Sequence, residues 1–312
     1  MSANKVLAPA ALGALVVVGL GSIAGDPRKL MEVLLVFAMA QGWNLLCGYT
    51  GLLSFGHQAF IGVGAYALFI VTNHLGLSPY LALAASAGGA MLVALVMAGL
   101  LNGLRDAYFS IGIWVLADCL RLFFGQWQLA GGSRGLILDP SAVDPSTLTY
   151  VVLWLAAALA ITTLLGMFLL LRARFGLALM AIRDDERAAA GVGVSIRRNR
   201  LAAFLISAGI CGLAGGIYYL SVLYVDPVGA FDLSWQIRIL FIVIVGGVGT
   251  LEGPFLGTFI YYVLRSAFQG RGEWFAMCEG AVAAAVMLLA PYGIWGYFQR
   301  RFGWRVFALA WA

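Results

Sequence analysis

Charge is what this chain has least of. Only 11% of its 312 residues are charged and 62% are hydrophobic, whereas a water-soluble domain carries about a quarter charged residues. A soluble globular fold is thereby excluded. Lysine is almost missing: of 19 basic residues only Lys5 and Lys29 are lysines. Neither stands in a G-x-x-x-x-G-K-[ST] loop, so the chain cannot cradle ATP phosphates by itself. Histidine is confined to His57 and His74. No H-E-x-x-H, G-x-S-x-G or C-x-x-C pattern occurs, which removes the common routes to a membrane-embedded metalloprotease, serine hydrolase or dithiol enzyme. Cys47, Cys119, Cys211 and Cys278 all fall inside apolar runs and read as buried small hydrophobes, with no metal site implied.

What the chain has in quantity is continuous apolar sequence. Runs near 6–25, 30–50, 52–73, 79–103, 107–125, 148–171, 201–224, 235–248, 253–268 and 274–292 approach the roughly 20 residues that a helix needs to cross a bilayer. Barrel strands would instead alternate over about ten residues. The expectation is an all-α, polytopic transmembrane helical bundle of eight to ten spans, with the segments around 235–268 short and broken by glycine. The whole chain, 1–312, reads as a single transmembrane domain: spans over 6–171, a polar loop at 172–200, and further spans over 201–312. The first run, with Lys5 before it and the small residues Ser22 and Ala24 at its end, looks like a signal peptide and is read as an uncleaved first helix.

The loop is the one long polar interruption and holds Arg172, Arg174, Arg183, Arg187, Arg197, Arg198 and Arg200. Placing it in the cytoplasm and alternating outward puts twelve basic residues inside, four outside and three within spans, which satisfies the positive-inside rule with both termini cytoplasmic. Arg28 and Lys29 are the pair that runs against it. The net charge of +5 is therefore assigned to topology and not to nucleic acid. Phe175 to Ala190 is amphipathic and reads as a short helix along the membrane surface, offering both signs of charge to a soluble partner.

Gly51 to Tyr66 reads GLLSFGHQAFIGVGAY. Its glycines allow a broken helix around Ser54, His57 and Gln58, tolerated at membrane depth only where protein or a water-filled cavity satisfies the backbone. His57 has two readings, a hydrogen-bonded residue that holds the bend or a group in the permeation path or gate. Gly131, Gly132 and Ser133 open GGSRGL, either a nest for a carboxylate or ordinary turn chemistry. Asp118 and Arg121, three apart, can pair on one helix face and are expected to point into the bundle. Glu32, Arg238, Glu252, Arg265 and Glu279 are further charges inside apolar runs. Gly209, Gly212, Gly215 and Gly216 offer a face for close helix contact, within the chain or across a dimer seam. Gly51, Phe60, Gly62 and Tyr66 recur 195 residues later as Gly246, Phe255, Gly257 and Tyr261, an echo that a duplication or chance would produce.

These stretches, together with DAYFSIGIWVLADCLRLFF at 106–124, AIRDDERAAAGVGV at 181–194, GGVGTLEGPFLG at 246–257 and GIWGYFQRRFGWR at 293–305, resemble the LivM-type permease subunits of ABC importers for branched-chain amino acids. The resemblance implies a coupling helix within 175–194, with Arg183, Asp184, Asp185, Glu186, Ala189 and Gly191 meeting an ATPase and Gly191 as the stop of the helix. It also implies a LivH-type partner permease, two ATPase chains that bind ATP and magnesium, a periplasmic solute-binding protein, and the bacterial inner membrane. No cofactor is expected in this chain, and no catalysis. Urea, short-chain amide and aromatic-acid importers share the pattern, and a proton-driven secondary transporter working through His57, Glu252 or Glu279 is the rival from another class.

Overall fold

A computed structural model of the chain describes residues 26–101, 103–104, 106–139, 143–268, 272–290 and 292–302. The run at 6–25, with Lys5, and the basic residues Arg105, Arg271 and Arg305 lie outside the described residues. Helix α1 spans Pro27–Thr50; Asp26 caps it by accepting from the Arg28 amide at 2.9 Å, and Gly51 ends it at φ 73°. Then come α2 (His57–Leu75), α3 (Pro79–Leu100), α4 (Asp106–Gln126), strand β1 (Leu136–Ile137), α5 (Pro145–Arg172), α6 (Arg174–Asp184), α7 (Glu186–Gly191) and α8 (Ile196–Val222). Strand β2 (Tyr224–Val225), α9 (Pro227–Ala230), α10 (Leu233–Gly246), α11 (Gly253–Ala267), α12 (Gly272–Leu289) and α13 (Gly293–Phe302) complete the order. The two strands make one short antiparallel pair, Leu136 opposite Val225.

Eight helices among the described residues are long and apolar enough to cross a membrane, and α11 is shorter at 15 residues. The chain is an all-α polytopic bundle, as its apolar runs require. Helix α1 is its axis, packed on α5, α8, α10 and α11, with only Gln41, Asn44 and Thr50 polar along its buried length. Helices α2, α3 and α8 form a second tight group. A Cβ added at Gly64 of α2 would come within 2.0 Å of the Gly212 carbonyl oxygen of α8, so the two backbones meet there. Gly215 abuts Ile61 of α2, and Gly216 abuts Ser86 of α3. The small face of α8 is thus used within the chain, by the close packing that substitutes for a hydrophobic drive inside a bilayer.

Three expectations change. Arg121 Nε does bond Asp118 Oδ1 at 2.7 Å, but the side chains are 35% and 54% exposed, so the pair faces out of the bundle. Cys119 between them is exposed as well. The surface stretch from Phe175 to Ala190 is two helices, because Asp185 adopts φ −155° and ψ 107° between α6 and α7. An extended residue whose carboxylate accepts from the next amides starts a new helix better than it continues the old one.

Candidate functional site

After Gly51 the chain turns back beside α1 before α2 begins, so residues 51–56 are a non-helical strap inside the bundle. Side chains from neighbouring helices meet its buried carbonyls. Trp43 Nε1 donates to the Ser54 carbonyl at 2.7 Å, and Gln236 Nε2 donates to the same oxygen at 3.1 Å. The other end of the Gln236 amide accepts from the His57 backbone N–H at 3.0 Å. One glutamine from α10 therefore bridges the Ser54 carbonyl within the strap and the first amide of α2, groups that would each cost about 1–3 kcal/mol if left unmade in the interior. His57 is fully buried, its Nδ1 3.0 Å from Ser54 Oγ and its Nε2 2.7 Å from Ser207 Oγ of α8. Gln58 is buried with Oε1 making no hydrogen bond among the described residues. Ser54, His57 and Gln58 thus sit together behind the strap.

In front of the strap lies an apolar cavity of about 600 Å³, lined by Gly51, Leu53, Phe55, Ser110, Ile111, Trp114 and neighbours. Ser110 Oγ donates to the Leu53 carbonyl at 2.7 Å, tying α4 to this wall.

A second strap, residues 247–252, joins α10 to α11 on another face of α1. Gln41 Nε2 donates to the Leu251 carbonyl at 2.9 Å, Asn44 Nδ2 to the Thr250 carbonyl at 2.8 Å, and the Gly249 amide donates to Asn44 Oδ1 at 2.9 Å. Gln41 and Asn44, three apart on one face, do for this strap what Trp43 and Gln236 do for the first.

Arg183, at the end of α6, meets both straps. Its Nη1 donates to the Gly48 carbonyl at 3.1 Å and its Nε to Asp184 at 3.0 Å. Gly51 and Gly249 leave room for the same side chain, since a Cβ at either would lie 3.4 Å or 3.2 Å from it. Beyond, Asp185 caps α7 by accepting from the Arg187 and Ala188 amides at 2.8 and 3.0 Å. Glu186 pairs with Arg200 at 3.2 Å, Ala189 is buried, and Gly191 and Val192 are exposed, Val192 to 80%. Helix α7 ends at Gly191, while the left-handed glycine that turns the chain, Gly193 at φ 86°, lies two residues later.

Gly131, Gly132 and Ser133 are at the other end of α2. Gly131, Gly132 and Gly135 all have positive φ, and Tyr224 donates to the Arg134 carbonyl at 2.9 Å. His74 and Asn73, at the end of α2, bond the Leu129 and Ile137 carbonyls. From His57 to His74 the helix rises about 25 Å, so this loop and the His57 cluster are separate places and do not form one site. Glu32, Arg238 and Arg265 do converge: Glu32 Oε1 accepts from both guanidinium groups, from Arg238 at 3.3 Å. Among the described residues no group of three His, Cys, Asp or Glu is placed to hold a metal ion.

Broken helices strapped around one axial helix, with a small charged two-helix elbow bonded to that helix beside both straps, describe a transport scaffold. The family of the branched-chain amino acid transport system permease component matches residues 30–291. The chain belongs to this family. Among the permeases it resembles is the high-affinity branched-chain amino acid transport system permease protein LivM of Escherichia coli strain K12, 27% identical over 81% of this chain and 66% of that protein. The chain thus spans just under two thirds of that LivM. A probable LivH permease of Methanocaldococcus jannaschii is 26% identical over 84% of this chain and 89% of its own length. The autoinducer 2 import system permease protein LsrC of Klebsiella pneumoniae is 26% identical over 62% of this chain and 59% of its own length. No solved structure matches.

Several residues that organise this permease escaped sequence reasoning: Trp43, Gln236, Gln41 and Asn44, and the cavity wall of Leu53, Phe55 and Trp114; Ser207 reads in the sequence as one of the small residues of the α8 face, not as a partner of His57. The polar ones carried a signal. Gln236 lies with Arg238 near the start of an apolar run, and Gln41 and Asn44 share a helix face inside another.

Proposed function

We propose that this permease is the non-catalytic transmembrane subunit of an ABC importer that moves branched-chain amino acids, or a similar small solute, into the cytoplasm. ATP and magnesium are bound by two partner ATPase chains. A LivH-type permease completes the membrane part, a periplasmic solute-binding protein delivers the solute, and the assembly sits in the bacterial inner membrane with α6 and α7 in the cytoplasm. The observation that carries this reading is Arg183, which joins the α6–α7 elbow to Gly48 and to the turns at Gly51 and Gly249. A push on the elbow is delivered to both straps at once, which is what a coupling segment must do if ATP binding is to bias one membrane conformation over another.

In this reading Asp184, Asp185, Glu186, Ala189 and Gly191 form the ATPase contact, and Arg183 couples that contact to the membrane helices. The solute moves along the apolar wall at Leu53 and Trp114, and Ser54, His57 and Gln58 hold the wall from behind. Gly131, Gly132 and Ser133 meet the solute or its carrier at the outer end. An apolar wall suits an aliphatic side chain better than urea or a small amide. Uptake of labelled leucine by vesicles carrying the full assembly tests the proposal: it should vanish when the ATPase is inactivated and survive a protonophore. Uptake that survives loss of the ATPase and collapses with the protonophore would establish the proton-driven alternative.

A further inference from the structure

The first turns of α8 are electrostatically frustrated. Arg197, Arg198 and Arg200 crowd the N-terminal end of a 27-residue helix that has no acidic residue in its first turn. That end of a helix carries partial positive charge and favours anions, so three guanidinium groups there oppose the local field. The cap is also incomplete: Ser195 accepts no hydrogen bond from the first amides with its side chain, which leaves them free to bind an anion. Glu186 pairs with Arg200 at 3.2 Å, and the Arg200 Nε remains without a partner among the described residues.

Beside this cationic end lies a cavity of about 380 Å³. Its mouth carries Glu186, Arg197 and Arg200, and its walls are Leu95, Ala98 and Gly99 of α3, Phe109 of α4, and Leu201 and Phe204 of α8. From Leu95 to Leu101 the apolar wall runs about 9 Å along the helix. A polar mouth rich in arginine above an apolar slot of that depth matches a phosphodiester with a hydrocarbon tail.

We propose that this cleft binds the phosphate headgroup of an anionic phospholipid, with one acyl chain between α3 and α8. Cationic pockets between helices at the membrane surface select such headgroups. The lipid phosphate neutralises Arg197 and the α8 amides, and so leaves Arg200 committed to Glu186 of the α7 elbow. Occupancy therefore steadies the elbow against α8, and an anionic bilayer becomes a requirement for coupling that is independent of which solute is carried.

The test uses the full chain, purified in mild detergent and re-exposed to phosphatidylglycerol or phosphatidylethanolamine, with retained lipid counted by native mass spectrometry. Wild type is expected to retain phosphatidylglycerol. Arg197→Gln should reduce that retention by about fivefold, and Ala98→Phe, which fills the slot without touching charge, should reduce it at least as much. Phosphatidylethanolamine retention should be low and unchanged in both variants. Ala98→Phe and Arg197→Gln act on different parts of the cleft, so a folding failure in one, seen as a shifted elution volume, leaves the other decisive. Full retention in either folded variant overturns the proposal. So does displacement of the lipid by millimolar inorganic phosphate, which would mark a free-anion site, and so does weakened ATPase association in Arg197→Gln with lipid retention intact, which would mark a protein contact.

Discussion

Arg183 and Gln236 each hold together parts of the chain that are distant in sequence, and substitution distinguishes what they do. Removing the amide of Gln236 as Gln236→Leu orphans the His57 backbone N–H and takes one of two donors from the Ser54 carbonyl. The expected cost is about 1–3 kcal/mol, read as a lowered midpoint in thermal unfolding of the detergent-solubilised protein, with a matching fall in yield. His57→Gln is expected to be milder, because a glutamine amide can still reach one of the two serine hydroxyls that flank the imidazole. Uptake should drop only modestly in that variant, and total loss of uptake in a folded complex would make His57 part of the gate. Arg183→Ala breaks the charged bond to the Gly48 carbonyl, a bond of a type worth about 1.5–3 kcal/mol, without disturbing the exposed face of α7. Its expected signature is an assembly that still contains its ATPase but hydrolyses ATP without moving solute. Loss of the ATPase from the purified Arg183→Ala complex would instead make this arginine part of the contact.

At the level of elements, spans were far more legible than straps. Continuous apolar runs report helices directly, because the bilayer demands length and little else. The straps are held by side chains that are far away in sequence: Gln236 lies 182 residues from Ser54, and Asn44 lies 206 from Thr250, and no local pattern announces such partners. The recurrence of Gly51, Phe60, Gly62 and Tyr66 as Gly246, Phe255, Gly257 and Tyr261 acquires a physical counterpart. Each quartet spans a helix end, a short strap and a restart, with α1 capped at Gly51 and α10 at Gly247. Helix α7 was misread as the end of one longer helix because its start depends on a cap, a single-residue signal. Six residues cannot sustain a helix unaided, so Asp185→Ala, which removes the acceptor for two amides, should cost about 0.5–2 kcal/mol and unravel α7. Faster amide exchange across residues 186–191, restored by Asp185→Asn, would be the measured result. The α2–α8 contact offers a sharper contrast: Gly64→Ala should prevent correct packing, while Gly88→Ala, where an added Cβ meets nothing within 4 Å, should be silent. Equal yields of folded protein from the two variants would contradict the close approach of those helices.

The whole molecule is asymmetric between its ends. Helix α1 rises about 36 Å along its 24 residues, from Arg28 and Lys29 at its start to the Arg183 contact at its finish. The end it reaches carries the α6–α7 elbow and the arginines from Arg172 to Arg200, while the other carries the β1–β2 pair and Arg134. Seven arginines at this end outweigh Arg28, Lys29 and Arg134, the basic residues described at the far end, and cationic loops are retained on the cytoplasmic side. The ATPase reading and the orientation therefore stand or fall together, because a nucleotide-hydrolysing partner has ATP only in the cytoplasm. Single cysteines can report this on a background in which Cys47, Cys119, Cys211 and Cys278 are changed to Ser or Ala. Val192→Cys at the tip of the elbow, where the native side chain is 80% exposed, should resist a membrane-impermeant thiol reagent in intact cells and react once the membrane is permeabilised. Ser133→Cys, exposed in the glycine-rich loop at the opposite end, should react in intact cells. Labelling of Val192→Cys from outside would put the elbow on the wrong side of the membrane for any ATPase, and the importer proposal would fail with it.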